Sequence, residues 1–485
     1  MWKTLAEIAF GTVLVGIPIQ LLNLKLARRF QWVDIPSARK RHRESVPITG
    51  GVAVISTWAI SVGGFCLLNP AWASENQQAL ITLAVGCGVL VILGLVDDLR
   101  GLSPGWKLAV EFLLAVGVLT QIPEVTEICS IWSHKIGLIV WPLAIIWIVG
   151  ITNTINLIDG LDGLAGGTSL LVLTGIGFLC LLVKTQAILP IVLTGLLVPS
   201  VAVFLALNWS PARIFLGDNG SLPLGFVISV TSLMCRPHMN SWIMIASMVL
   251  MLGYPIVDTG LAVFRRYSKG QPLFKADRYH LHYRIQRLGL TTRQTALLLL
   301  SLSLYLQFTG ICVNFLQPWQ AGLVIAISMG SVISLLQLVF SIEQRRVVRL
   351  FHQLQNDPEY KNSENVASTR TVIHLEIGVL LETASEDSAL PYLQVMRALE
   401  LLLKTMIRRE DAIILNDQKL SIILEGKLSP HGEVSALVTR LKAKLEAFLT
   451  LYGIQGSLAS IPIKVEQLVY VKPQDTSNPR VKKVA

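Results

Sequence analysis

Charged side chains are scarce in this sequence: Asp, Glu, Lys and Arg make up 15% of its 485 residues, where a soluble globular chain carries roughly a quarter. With a mean hydropathy of +0.59, that scarcity excludes a water-soluble protein of this length. Cysteine pairing signals are also missing. The six cysteines (Cys66, Cys87, Cys129, Cys180, Cys235 and Cys312) lie scattered in apolar stretches without C-x-x-C spacing. They read as packing residues rather than as a disulfide framework or a thiolate metal site. No cleavable leader is visible, because the first apolar run, Leu5 to Leu24, is long enough to span a membrane itself. Nor is there an internal repeat of the kind many transporters carry. The net charge of +10 invites a nucleic-acid partner, but the basic residues fall in short runs between apolar segments, as in membrane proteins. No nucleic-acid partner is expected.

What is present is a series of long apolar runs. Scanning for about 20 mostly apolar residues predicts eleven spanning helices, near 4–23, 48–68, 78–96, 106–121, 135–152, 165–183, 187–207, 221–235, 241–262, 293–313 and 320–341. The fourth and eighth are short. Lys and Arg collect after span one (Lys25, Arg28, Arg29, Arg39, Lys40, Arg41, Arg43), between spans nine and ten (Arg265, Arg266, Lys269, Lys275, Arg278, Arg284, Arg287), and after the last span (Arg345, Arg346, Arg349). Eleven spans put these segments on one side, which the positive-inside rule makes cytoplasmic. The opposite loops hold little more than Lys135, Lys184 and Arg236. The N-terminus is expected outside and the C-terminus inside.

Aspartates are absent from the outside loops of this topology. Asp34, Asp97, Asp98, Asp159, Asp162, Asp218, Asp258 and Asp277 all fall in loops or span ends of the basic side. The positive-inside rule places no such demand on acids, and Asp is costly within a bilayer. A one-sided set of acids beside bases suggests a site for a metal and phosphates, against the plainer reading of charges that offset one another.

Five clusters carry the chemistry. Asp97-Asp98 end a span beside a Gly/Pro turn, and Lys107 opens the next helix. Neighbouring carboxylates suit a base or an indirect metal contact, and the lysine suits a phosphate. In Asn153-Thr-Ile-Asn156-Leu-Ile-Asp159-Gly-Leu-Asp162-Gly, the two asparagines share a helix face and the glycines put the two aspartates on a tight loop. Their oxygens are the hard donors Mg²⁺ takes while keeping several waters. Gly217-Asp218-Asn219-Gly220-Ser221 sets a carboxylate at the start of a helix, where Ser221 is also a candidate N-cap. In Asp277-Arg278-Tyr279-His280-Leu281-His282-Tyr283-Arg284, no Cys or further His completes a zinc site. Phosphate or sugar contact is the reading there. Asp34 to Gly51, with Arg39, Lys40, Arg41, Arg43, Pro47 and Gly50-Gly51, reads either as a topogenic basic loop or as backbone passing close to a ligand.

In this order and spacing the clusters resemble the polyprenyl-phosphate N-acetylhexosamine-1-phosphate transferases (the glycosyltransferase 4 family), relatives of the MurNAc-pentapeptide translocase. The likeness covers residues 1–343, with D-D-x-x-G-L, N-x-x-N-x-x-D-G-x-D-G-L and G-D-x-G-S intact. Pro255-Ile-Val-Asp258-Thr259 with Asp277-Arg278-x-His280-Leu-His282 is similar to the branch that uses UDP-GlcNAc, although Tyr283 stands where that branch often has a third histidine. The resemblance implies transfer of N-acetylhexosamine-1-phosphate, GlcNAc-1-phosphate by branch, from a UDP-sugar to undecaprenyl phosphate, with UMP leaving. It also implies a multi-pass protein of a bacterial plasma membrane with a cytoplasmic site, feeding envelope polysaccharide synthesis and compatible with a homodimer. By position it implies Mg²⁺, or Mn²⁺, on Asn156 and Asp218. Asp97 would deprotonate or orient the lipid phosphate with Asp98 in support, and Asp159 and Asp162 would arrange the metal shell or nucleotide. Lys107, Asn153, His280, His282 and Arg284 would bind substrate.

The expected fold is therefore an all-α polytopic membrane domain (1–343), a linker (344–369), a small α/β domain (370–470) and a disordered tail (471–485). Strands near 371–381, 412–415, 420–424 and 456–463, with helices near 390–408 and 432–452, give a ferredoxin-like order. The stretch faintly resembles a diguanylate cyclase domain, but Asn416-Asp417-Gln418-Lys419-Leu420 replaces the G-G-D/E-E-F turn. A regulatory or partner-binding role is expected instead of nucleotide cyclisation. Two rivals stand beside the transferase: a transporter, which would carry acids near the bilayer midplane, and an inactive scaffold, which has no need of intact acidic motifs.

Overall fold

The computed structural model describes residues 1–34, 45–182, 188–235, 241–268 and 280–355. C-terminal to these it describes 369–376, 412–416, 419–425, 439, 443, 463–469 and 482–484. The first unit is helical: α1 (Trp2–Arg29), α2 (Gly50–Leu68), α3 (Pro70–Glu75), α4 (Gln77–Arg100), α5 (Pro104–Gln121), α6 (Pro123–Ile136), α7 (Val140–Leu157), α8 (Leu164–Leu182), α9 (Leu189–Asn208) and α10 (Asp218–Met234). After these come α11 (Ser241–Met251), α12 (Gly253–Ser268), α13 (Leu281–Arg287), α14 (Thr292–Cys312) and α15 (Pro318–Gln355). A short ribbon pairs β1 (Val33–Asp34) with β2 (Val46–Pro47), antiparallel.

Among the described residues eight helices are long and apolar enough to cross a membrane, and up to ten spans arise if each bent pair counts as one. The fourth expected span, 106–121, is α5, after which the chain turns by 84° into α6, whereas the ninth is not one straight helix but breaks between α11 and α12 with a bend of 78°. In both pairs a Pro or Gly opens the second helix, Pro123 in one and Gly253 in the other, and such residues interrupt the hydrogen-bond ladder. The expected eighth span is α10, whose 17 residues extend roughly 26 Å, short for a bilayer core. Large apolar side chains such as Phe10, Leu67, Ile92, Phe308 and Leu323 are exposed. In water that exterior would be unfavourable; in lipid it is the solvated surface. The protein is a multi-pass membrane protein.

α10 is the core of this unit. Every residue from Asn219 to Ser232 is buried, and its hydroxyls are satisfied locally, as where Thr231 donates to the Val227 carbonyl at 2.7 Å. Close packing on it depends on missing side chains. A Cβ at Gly51 of α2 would fall 2.0 Å from the Gly220 Cα, and one at Gly94 of α4 would fall 2.3 Å from the Asn219 nitrogen. At the other end of α10, Cys235 meets Cys180 of α8, with Cα atoms 5.9 Å apart, as a disulfide. This corrects the reading of all six cysteines as packing residues. The partners are 55 residues apart, so no local spacing announced them. Cys66, Cys87, Cys129 and Cys312 are free thiols.

The second unit contains an antiparallel sheet in the order β4-β5-β3-β6-β7: β3 (Thr369–Glu376), β4 (Ala412–Asn416), β5 (Lys419–Glu425), β6 (Ile463–Val469) and β7 (Lys482–Val484). Of the last expected strand, 456–463, positions 456–462 lie outside the described residues, and a strand runs over Ile463–Val469. Within the tail expected to be disordered, Lys482–Val484 pairs with Gln467–Val469. Apart from positions 439 and 443, the helices expected at 390–408 and 432–452 lie outside the described residues.

Candidate active site

The site is built on the N-terminus of α10. Ahead of that helix the chain is extended and pairs with the segment leaving β2: Phe215 N–H donates to the Pro47 carbonyl at 2.8 Å, and Gly50 and Gly51 N–H donate to Phe215 and Leu216 carbonyls at 3.0 Å. Gly217 then turns with φ +70°, and a Cβ there would lie 2.5 Å from the Ile48 carbonyl oxygen. Only glycine fits that turn. It presents Asp218 at the positive end of the helix, a favourable place for a carboxylate.

Two neighbouring aspartates of α4 reach this end in different ways. Asp98 faces the backbone: its carboxylate accepts from Asp218 N–H at 3.1 Å, Asn219 N–H at 3.2 Å and the Asn219 amide at 2.7 Å. Asn219, fully buried, also donates to the Ile48 carbonyl at 2.6 Å and accepts from Val52 N–H at 3.0 Å. Asp97 faces Lys107. The ammonium bridges Asp97 Oδ2 at 2.7 Å and Asp218 Oδ2 at 2.9 Å. The other Asp218 oxygen accepts from the Asn156 amide at 2.7 Å, and the same amide donates to Ser221 Oγ at 2.9 Å. Three motifs far apart in sequence thus close into one network.

The glycine-broken loop after α7 borders this network. Asp159 keeps part of its surface open yet is densely surrounded. Burial, then the charges of Asp218 and Asp98, push its carboxyl well above the usual range, against the pull of the Gly217 backbone N–H. Asp162 accepts from Ala212 N–H at 3.1 Å. Asn208 accepts from Gly163 N–H at 2.9 Å and donates to the Ile214 carbonyl at 2.8 Å, tying the loop to the segment that leads into Asp218. On its far side, His282 Nε2 would lie 2.8 Å from a Cβ at Gly160. His280 hydrogen-bonds Asp258 at 2.9 Å, Leu281 N–H donates to the same carboxylate at 2.6 Å, and the rings of His280 and His282 are parallel, 5.7 Å apart. Arg284 is buried.

The structure therefore brings Asp97, Asp98, Lys107, Asn156 and Asp218 together, with Asp159 against them and Asp162 fixing a neighbouring loop. Asn153 lies one turn from Asn156 and binds Glu111 instead of the network. Asp277 and Arg278, and Arg39, Arg41 and Arg43 of the first basic loop, lie outside the described residues. Sequence reasoning missed Glu111, Asn208, Asn219 and the pairing of Asp258 with His280. Glu111 carried a usable signal, being an acid within an apolar span. The others are recognisable only from their partners.

Among the described residues no group of three or more His, Cys, Asp or Glu side chains is disposed to hold a metal by itself. The donor set still suits Mg²⁺, which uses one or two carboxylates with waters and substrate phosphates rather than a protein cage. Asp218 and Asn156 offer hard oxygens, with the carboxyls of Asp97 and Asp98 gathered at the same helix end.

Residues 80–236 match the family described as glycosyl transferase family 4. The chain is 33% identical over 324 residues to a probable undecaprenyl-phosphate N-acetylglucosaminyl 1-phosphate transferase of Bacillus subtilis, covering 65% of this chain and 86% of that protein. It is 26% identical to the undecaprenyl-phosphate alpha-N-acetylglucosaminyl 1-phosphate transferase of Escherichia coli K12, over 60% of this chain and 79% of the relative. The Thermotoga maritima protein of that name is 30% identical over 60% of this chain and 84% of its own length.

Proposed function

The chain belongs to glycosyl transferase family 4, and from that premise we propose that it transfers GlcNAc-1-phosphate from UDP-GlcNAc to undecaprenyl phosphate, releasing UMP. The observation that carries this reading is the Lys107 ammonium shared by Asp97 and Asp218 at the head of α10. It places cationic and acidic groups side by side, as exchange of one pyrophosphate for another requires. An oxygen of the lipid phosphate forms a bond to the β-phosphorus of the UDP-sugar. The bond from that phosphorus to the oxygen bridging the α-phosphate breaks, and the oxygen leaves with UMP. Asp97 orients the incoming phosphate and accepts its proton where one remains. Lys107 neutralises charge on the transferring phosphoryl group, and the gain is largest in a site shielded from water. Asp98, through the α10 backbone, holds Asp218 and Asn219 in place. Asp218 and Asn156 would hold Mg²⁺, which supplies charge neutralisation at the phosphates. His280, His282 and Arg284 bind the donor.

We further propose that the site faces the cytoplasm of a bacterial inner membrane and that the product initiates envelope polysaccharide synthesis. The helix directions support the orientation: the Asp97, Asp159 and Asp218 ends of α4, α7 and α10 lie together, and the Cys180–Cys235 disulfide joins the far ends of α8 and α10. Disulfides persist on the oxidising side of a membrane. The C-terminal sheet is read as a regulatory or partner-binding domain. The deciding assay uses purified membranes with Mg²⁺, undecaprenyl phosphate and radiolabelled UDP-GlcNAc, comparing wild type with Asp218→Ala. Lipid-extractable label that requires Mg²⁺, is lost in the variant and is discharged by UMP is the expected result. Transfer from a different UDP-sugar would replace the donor, and transfer from none would end the reading.

A further inference from the structure

Glu111 is an acid in the middle of an apolar helix, 2% exposed, four residues beyond Lys107 and so on the same face of α5. Acids in such positions are costly and need a reason. One carboxylate oxygen, Oε2, accepts from the Asn153 amide nitrogen, and the other, Oε1, is buried without a hydrogen-bond partner. The Asn153 nitrogen also donates to the Val149 carbonyl at 2.9 Å. An asparagine amide has two N–H groups, and both are now used. Because Oε2 accepts from that nitrogen, Glu111 fixes which way the amide is turned, leaving the Asn153 carbonyl oxygen as the group it offers.

The consequence reaches the reacting centre through two helices. Asn153 and Asn156 lie one turn apart on α7, and Asn156 holds Asp218 at 2.7 Å. Lys107, on the same α5 face as Glu111, holds Asp218 from the other side at 2.9 Å. Lys107–Asp218–Asn156 on one level and Glu111–Asn153 on the next form a closed frame linking α5, α7 and α10. Removal of Glu111 opens the frame on one level and frees the Asn153 amide to rotate.

We propose that Glu111 is a positioning residue of the transfer reaction, acting by locking the Asn153 amide and, through α7, the placement of Asn156 on Asp218. The inference rests on the transferase reading above. It assigns Glu111 no contact with substrate, and the property that matters is its acceptor oxygen rather than its charge.

The test measures transfer of labelled GlcNAc-1-phosphate by full-length wild type, Glu111→Ala, Glu111→Gln, Asn153→Ala and the Glu111→Ala/Asn153→Ala double variant, each checked for monodispersity and thermal unfolding. Glu111→Ala and Asn153→Ala should each lose roughly 10–100-fold, the range typical of groups that orient ligands of a metal site. The double variant should lose no more than the worse single one, because both remove the same link. Glu111→Gln, whose carbonyl can accept from Asn153, should recover to within about fivefold of wild type. Multiplicative losses, a Glu111→Ala variant within twofold of wild type, or a Glu111→Gln variant as poor as the alanine would each overturn the proposal. If Glu111→Ala fails to fold, Glu111→Gln against Asn153→Ala still decides, since equal losses in a folded Glu111→Gln would sink it. An inactive wild type removes the transferase reading and this inference with it, whereas an active wild type with uncoupled variants removes only the inference.

Discussion

Asp97 and Asp98 are adjacent in the chain and differ in what they touch. Asp97 shares Lys107 with Asp218 and accepts from Leu102 N–H just beyond α4, whereas Asp98 spends both oxygens on the backbone and amide at the head of α10. Asp97→Ala should therefore lower transfer by roughly 100-fold or more with a stability loss of about 1 kcal/mol, that of a single backbone acceptor. Asp98→Ala should cost about 2 kcal/mol in denaturant unfolding as well as activity, since it leaves buried N–H groups without their charged acceptor. Equal stability losses in the two variants would contradict this division. Asp159 adds a pH dependence. Its carboxyl is raised, first by burial and then by Asp218 and Asp98, so the metal-free folded state binds more protons than the unfolded chain. Stability conferred by the neutral acid is complete below the ordinary aspartate range and is lost as pH climbs toward the raised folded value. Asp159→Asn should raise the Tm of metal-free protein near neutral pH and flatten its decline with pH, while transfer falls roughly 100-fold. A lower Tm would show that Asp159 is held ionised instead. The acids of the site were legible in the sequence because aspartates at span ends are costly and were gathered on one side. Their division of labour was not, because it depends on which oxygen meets which donor across 120 residues, as between Asp98 and Asp218.

At the scale of elements, the apolar runs gave most helices within a few residues, yet the two sharp bends and the turn of α6 were hidden, because composition measures length in residues and not direction. Glycine spacing was likewise opaque. Gly94 and Gly88 both lie on α4, but a Cβ at Gly94 would strike the Asn219 nitrogen at 2.3 Å, while one at Gly88 would meet nothing within 4 Å. Gly94→Ala should therefore force α4 away from α10, destabilising by at least about 2 kcal/mol and disturbing the Asp97–Lys107–Asp218 bridge, so that activity falls with it. Gly88→Ala should be neutral or stabilising by up to about 1 kcal/mol, the ordinary helix gain over glycine. Unfolding in detergent, followed by thermal melting of the two variants side by side, separates these outcomes. Similar melting temperatures would mean that the contact of α4 with α10 is looser than described.

The whole molecule is polarised along its helices. α4 enters after Glu75 and ends at Arg100 beside the acidic network, so Glu75 and Ser103, both exposed, mark opposite ends of the unit. The basic runs that assigned a side in the sequence lie partly outside the described residues, but the disulfide gives an independent argument, since Cys180 and Cys235 sit at the ends of α8 and α10 remote from Asp218. If the site draws a water-soluble nucleotide sugar from the cytoplasm, its acids must open inward and the disulfide outward. Single cysteines introduced as Glu75→Cys and Ser103→Cys, in a chain whose four free thiols are replaced by serine, turn this into a measurement on intact cells. A membrane-impermeant maleimide should label the Glu75→Cys protein directly and the Ser103→Cys protein only after permeabilisation. The reverse pattern would invert the molecule and put the acidic network where no UDP-sugar pool exists, which the transferase mechanism could not survive. Because α4 crosses once between the two labels, the result also fixes the side of every acid in the network, from Asp97 to Asp218.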